Sequence, residues 1–83
     1  MSPVPGFPSM GANKMLKLLK RELGYEVTGH HGGAHRWLES PDHRRIRWAY
    51  HDGRELSPIE VKRILVKQAG LDLEKARKVA RRA

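Results

Sequence analysis

Cysteine is wholly absent from this chain of 83 residues. That excludes disulfide bridges and thiolate metal sites, and it suits a reducing cytoplasm, which is the expected location. No apolar run approaches the roughly 18 residues that a membrane-spanning helix needs, so no membrane partner is expected. The start of the chain lacks the apolar centre of a secretory signal. Internal repeats and low-complexity tracts are missing too. Acidic residues are scarce: 9 Asp and Glu stand against 17 Lys and Arg, which leaves a net charge of +8 and a pI near 10.5. Such a balance points to an anionic partner, whether nucleic acid, an acidic protein or an anionic surface.

What is present is 39% hydrophobic residues, enough for one small domain whose core is marginal by burial alone. Residues 1–8 carry Pro3, Pro5 and Pro8 and read as a flexible N-terminal tail, with a single domain over residues 9–83. Ser9 is a candidate N-cap for a first helix. There Ala12, Met15, Leu16, Leu19 and Leu23 recur on one face, and Gly24 supplies the stop. Lys14, Lys17, Lys20 and Arg21 fall mostly on the other side, where a solvated face and phosphate contact both fit.

Three short strands follow. Residues 25–28 are β-prone, with Tyr25 and Val27 on one face. Residues 35–39 alternate Arg36 and Leu38 against His35, Trp37 and Glu39. Residues 45–51 set Ile46, Trp48 and Tyr50 against Arg45, Arg47, Ala49 and His51. Ser40-Pro41-Asp42 and Asp52-Gly53 are turn signals, so the strands form an antiparallel meander. A second helix opens with the capping box Ser57 and Glu60, Pro58 at its first position, and a hydrophobic staple of Leu56 with Val61. Val61, Ile64, Leu65 and Ala69 give its buried stripe, and Gly70 ends it. Asp72 caps a short third helix over residues 73–82, whose outer side is crowded with Lys75, Arg77, Lys78, Arg81 and Arg82. The expected fold is α+β, a two-layer sandwich in the order α-β-β-β-α with a short extra C-terminal helix. Both main helices bury their stripes on one sheet face and leave the other open.

The stretch that carries chemistry is His30-His31-Gly32-Gly33-Ala34-His35-Arg36-Trp37. Its glycines allow a sharp turn, and His35 stands at the lip of the strand that follows. RNA holds its own nucleophile, the 2′-hydroxyl, and is cleaved if a base takes that proton while positive charge meets the phosphorus. Imidazole titrates near neutral pH and does this without a metal. Arg36, Arg45 and Arg47 are candidates for gripping phosphate, because arginine offers a fork of donors. Trp37 is placed to stack on an unpaired base. His30 and His31 read as solvated loop residues. A metal site built from them and His35 would lack a completing carboxylate or thiolate, so no metal and no cofactor are expected.

Leu23-Gly24-Tyr25-Glu26-Val27, then Gly33-Ala34-His35, then residues 46–53, then Val61-Lys62-Arg63-Ile64-Leu65 with Gly70-Leu71 together resemble a HicA-type toxin. The resemblance runs from about Asn13 to Val79. It implies a fold similar to double-stranded RNA-binding domains. The implied function is that of a type II toxin–antitoxin toxin, a metal-independent endoribonuclease acting on mRNA, with a HicB-like antitoxin as partner. It implies that His35 is the catalytic histidine, with Gly33 in its motif and His51 as the second histidine. Together with Arg36, Trp37 and Arg47, read from their chemistry, Gly33 and His51 form the expected substrate-contacting set. One position departs: Ala34 stands where the family carries Ser or Thr. A hydroxyl there would position a phosphate oxygen or the imidazole, so weakened activity is the expectation.

Two other readings fit the same residues: a non-catalytic module of the double-stranded-RNA-binding type, and a basic interaction domain that meets an acidic protein. Against the first, the second helix opens with Ser57-Pro58-Ile59-Glu60 rather than a lysine cluster.

Overall fold

Local chemistry sets the element boundaries in the computed structural model, which describes residues 6–30 and 35–83. The chain runs β1 (Met10–Gly11), α1 (Ala12–Leu23), β2 (Glu26–His30), β3 (Arg36–Ser40), β4 (His43–Trp48), β5 (Glu55–Leu56), α2 (Pro58–Arg63) and α3 (Leu73–Arg81). A π-helical turn, Ile64–Gln68, carries α2 onward to Gly70. The meander β2-β3-β4 is antiparallel, and β1 pairs with β5 as a separate two-residue ribbon. This is the α+β arrangement that the sequence implies, with helices set against a three-stranded sheet and consistent with a double-stranded-RNA-binding-domain-like sandwich.

The first helix starts differently from expectation. Ser9 is exposed and does not cap it. Gly11 is the N-cap, with extended backbone and no side-chain acceptor. The N–H of Ala12 instead donates to the carbonyl of Arg54 at 2.7 Å. Pairing Met10 with Leu56 brings that carbonyl to the helix start, so backbone satisfies a donor that a serine side chain would otherwise meet. The buried stripe of α1 includes Leu18 beside the expected residues. At its far end Gly24, at φ 71°, returns its N–H to Leu19.

The second helix follows its signature. Ser57 Oγ accepts from the Glu60 N–H, Glu60 returns to the Ser57 N–H, and Pro58 opens the first turn. Leu56 and Val61 are both fully buried. Asp72 caps α3 through the Lys75 N–H. The end of α3 is tied to α1, since Arg82 reaches Glu22 at 2.7 Å and Arg21 donates to the Arg82 carbonyl.

On the sheet, Leu38 lies opposite Ile46, and Arg36 opposite Trp48. Leu38, Ile46 and Trp48 are at most 1% exposed and turn toward the helices. The third strand of the meander spans His43–Trp48, so it begins earlier and stops sooner than the expected residues 45–51. Tyr50 lies beyond it and packs edge-on against Trp48, with ring centroids 5.0 Å apart. The apolar alternation therefore runs past the end of the hydrogen-bonded ladder. Tyr25 is buried beneath the sheet, and its hydroxyl donates to the Arg44 carbonyl at 2.6 Å, as a buried phenol requires. Phe7, which precedes the expected domain start at residue 9, is also buried in this core.

Candidate functional site

Strand alternation sorts the β3 side chains. Leu38 enters the core, whereas Trp37 and Glu39 stand on the opposite, open face. In the ladder Trp37 lies between Arg47 on one side and Gly29 on the other. The Gly29 pairing depends on a register shift between Val27 and Gly29, a bulge that keeps Val27 on the core side while bringing Gly29 beside the indole.

His35 immediately precedes β3, and its Nδ1 lies 3.4 Å from Nη2 of Arg47. Together with Arg36 and Trp37 these two line a cavity of about 300 Å³. Arg36 reaches it from the core side of the strand, where it pairs with Trp48. Its Nε is buried without a hydrogen-bond partner, and its Nη1 lies 4.0 Å from the Asp52 carboxylate. Arg45 lies over the Trp37 ring, its Cζ 4.1 Å from the centroid. An imidazole, two guanidiniums and an indole thus share one hollow, with a third guanidinium at its edge. Such a site attracts phosphate and holds a proton-transfer group beside it.

The structure brings together His35, Arg36, Trp37 and Arg47 from the sequence-derived set. It leaves His51 apart: that residue is exposed in the turn after β4, does not line the cavity, and accepts the Arg54 N–H on its carbonyl at 3.0 Å. Its neighbour Asp52 reaches Arg36 instead. Gly33 lies outside the described residues, as do His31, Gly32 and Ala34. The sequence named Arg45 among the candidates for gripping phosphate and left only Asp52 of these partners unassigned. Arg45 carries a signal, because alternation puts it on the Arg47 face, but its place over Trp37 depends on register. Asp52 reads only as a turn residue. Among the described residues no group of three or more His, Asp or Glu is placed to hold a metal ion.

A family model described as the HicA toxin of bacterial toxin–antitoxin systems matches residues 12–71. The chain belongs to the HicA toxin family. The matched stretch begins with α1, takes in the whole meander and the candidate site, and ends just past the π-helical turn. Toxins of the HicA family pair with antitoxins, so this HicA-family chain has an antitoxin as its counterpart. No curated protein and no solved structure matches the chain. Among the described residues no helix is long and apolar enough to cross a membrane.

Proposed function

We propose that this HicA-family toxin is an endoribonuclease of mRNA in which His35 transfers protons at the 2′-hydroxyl and the scissile phosphate. The observation that supports it is the contact of His35 Nδ1 with Arg47 Nη2 within the cavity that Arg36 and Trp37 complete. The 2′-oxygen attacks the adjacent phosphorus, and the bond to the 5′-oxygen breaks. The products are a 2′,3′-cyclic phosphate and a free 5′-hydroxyl. Arg47 meets the charge that builds on the phosphoryl oxygens, and Arg36 grips a neighbouring phosphate in exchange for its loose contact with Asp52. Gly33, Trp37 and His51 complete the RNA-contacting set, Gly33 through the family motif.

This chemistry needs no metal or cofactor, because the nucleophile belongs to the substrate and imidazole supplies the proton transfer. A HicB-like antitoxin is the proposed partner. The test is cleavage of a labelled RNA, with and without chelator, beside the same RNA carrying a single 2′-deoxynucleotide at the cleaved position. Cleavage that survives chelator and stops at the deoxynucleotide supports the mechanism. Binding without cleavage of either RNA would instead favour the module that only binds.

A further inference from the structure

Trp37 is surrounded in a way that proton transfer does not explain. The indole occupies the middle of the open sheet face with Gly29 as its neighbour on β2. Gly29 does not have the positive φ that would make glycine necessary for backbone reasons. What glycine leaves is space: a Cβ at this position would come 3.5 Å from Cδ1 of Trp37, so a side chain here would sit against the indole. On the ring itself lies the Arg45 guanidinium, a flat, cationic, exposed group with no ion-pair partner among the described residues.

We propose that the Trp37 ring is the seat of one unpaired nucleobase flanking the scissile phosphate, and that Arg45 fills this seat until RNA arrives and then moves to the RNA backbone. The proposal rests on the ribonuclease reading for its substrate, and three observations support it. Arg45 already shows that a planar group fits over the ring at stacking distance. Spacing is the second: only Arg36 separates His35 from Trp37 in the chain and both line the same cavity, so the ring stands within about one nucleotide of His35. Relative strength is the third. An exposed cation–π contact favours its geometry only about 2–5-fold, whereas stacking of a base on an aromatic ring changes affinity about 5–150-fold. The base therefore displaces the guanidinium, and the freed charge finds phosphate nearby. A paired base is already stacked on its neighbours and cannot lie on this ring, so the seat selects single-stranded RNA.

Binding separates this idea from cleavage. Short 2′-O-methyl oligonucleotides, which lack the nucleophile and carry a terminal fluorophore, would be titrated against the full chain with fluorescence anisotropy as the signal. Tryptophan quenching would be read beside it for chains that keep Trp37. Trp48 is buried at 1% exposure, so quenching reports on Trp37. An oligonucleotide with one abasic position beside the central phosphate is the comparison strand.

The expected result is that removing the base weakens binding about 5–150-fold. Trp37→Ala should weaken the intact strand by a similar factor and make the two strands equal, while Trp37→Phe keeps most of the difference. Arg45→Ala should preserve that difference but lower the salt slope by about 0.7, the value for one phosphate contact on a single strand. Equal binding of intact and abasic strands by the unaltered protein would overturn the seat, even if RNA is cleaved. So would an unchanged salt slope for Arg45→Ala, as regards the move to phosphate. Base-dependent binding without cleavage of natural RNA would keep the seat and reject the enzymatic reading. Quenching by an antitoxin but by no oligonucleotide would show that the ring serves a protein partner, and would overturn the proposal.

Discussion

Nδ1 of His35 faces Nη2 of Arg47 at 3.4 Å, from just before β3 to the adjacent strand β4. A guanidinium only donates, so in this contact Nδ1 is the acceptor, which corresponds to the tautomer with its proton on Nε2. In the proposed mechanism, a phosphate that takes Arg47 releases Nδ1 as a base while Nε2 holds a proton to give.

His35→Ala should therefore reduce RNA cleavage by about 10²–10⁴ without moving the thermal midpoint, because His35 is not part of the core. Arg47→Ala should reduce kcat by about 10²–10³, as loss of one donor to a developing oxyanion does, with a smaller change in KM. Single-turnover cleavage of a labelled RNA checks both. Equal rates for the unaltered chain and His35→Ala would remove the assignment.

The departure at Ala34 gives a prediction of opposite sign. Ala34→Ser supplies the hydroxyl that the resemblance to the family implies beside the histidine, at little cost in bulk. Cleavage should become faster, with the circular dichroism spectrum unchanged. A serine variant that is no faster would make Ala34 a neutral variation within the family.

The start of α2 makes an acid-sensitive contribution to stability. The Ser57 backbone N–H, with Arg54 beside it, holds the Glu60 carboxyl below the ordinary glutamate value of 4.5. A depressed carboxyl stabilises the fold above its unfolded value, and that contribution is lost as pH falls through the folded value. Glu60→Gln should flatten the decline of the thermal midpoint below pH 4.5. The flattening is partial, because Glu22, held low by Arg82 and Arg21, titrates in the same region. Ser57→Ala removes the reciprocal cap and should cost about 1 kcal/mol, or about 4–8 °C in a domain of this size.

Tyr25 acts at the alkaline end. Burial pushes its hydroxyl from 10.0 up to about 12. A group that keeps its proton more tightly when folded stabilises the fold below its unfolded value, and that contribution disappears as pH rises through the folded value. Between pH 10 and 12 the unaltered chain should lose stability that Tyr25→Phe does not lose. At neutral pH the phenylalanine variant should be less stable by about 1 kcal/mol, since the Arg44 carbonyl loses its donor. Denaturant titrations at both pH values measure these differences.

The parts of this fold that were legible in the sequence are those encoded locally. The capping box at Ser57, the helix stops at Gly24 and Gly70, and the alternation of Leu38 against Trp37 each lie within a few residues of one another. The β1–β5 ribbon was not legible, because a two-residue strand has no period and Met10 meets Leu56 only through the tertiary fold. That same pairing removed the need for Ser9 as a cap. Within the site, alternation predicted the face on which Arg45, Arg47 and Trp37 stand. It did not predict that Arg45 lies over the indole, or that Asp52 rather than His51 comes to Arg36, because register and turn geometry decide both.

The last prediction concerns the antitoxin. With a net charge of +8, this toxin favours an acidic partner, and the cluster of His35, Arg36, Trp37, Arg45 and Arg47 joins charge to an aromatic surface. Inhibition by covering that face should appear as slower amide exchange across β3 and β4 in the purified toxin–antitoxin complex, with α1 exchanging as in the free protein. Charge mainly steers encounter, so Arg47→Glu should lower the association rate and weaken its dependence on salt. A buried aromatic ring holds a complex together once formed, so Trp37→Ala should chiefly raise the dissociation rate. Protection confined to the helices, with Arg36–Ser40 exchanging as fast as in the free toxin, would show that the antitoxin acts without covering His35.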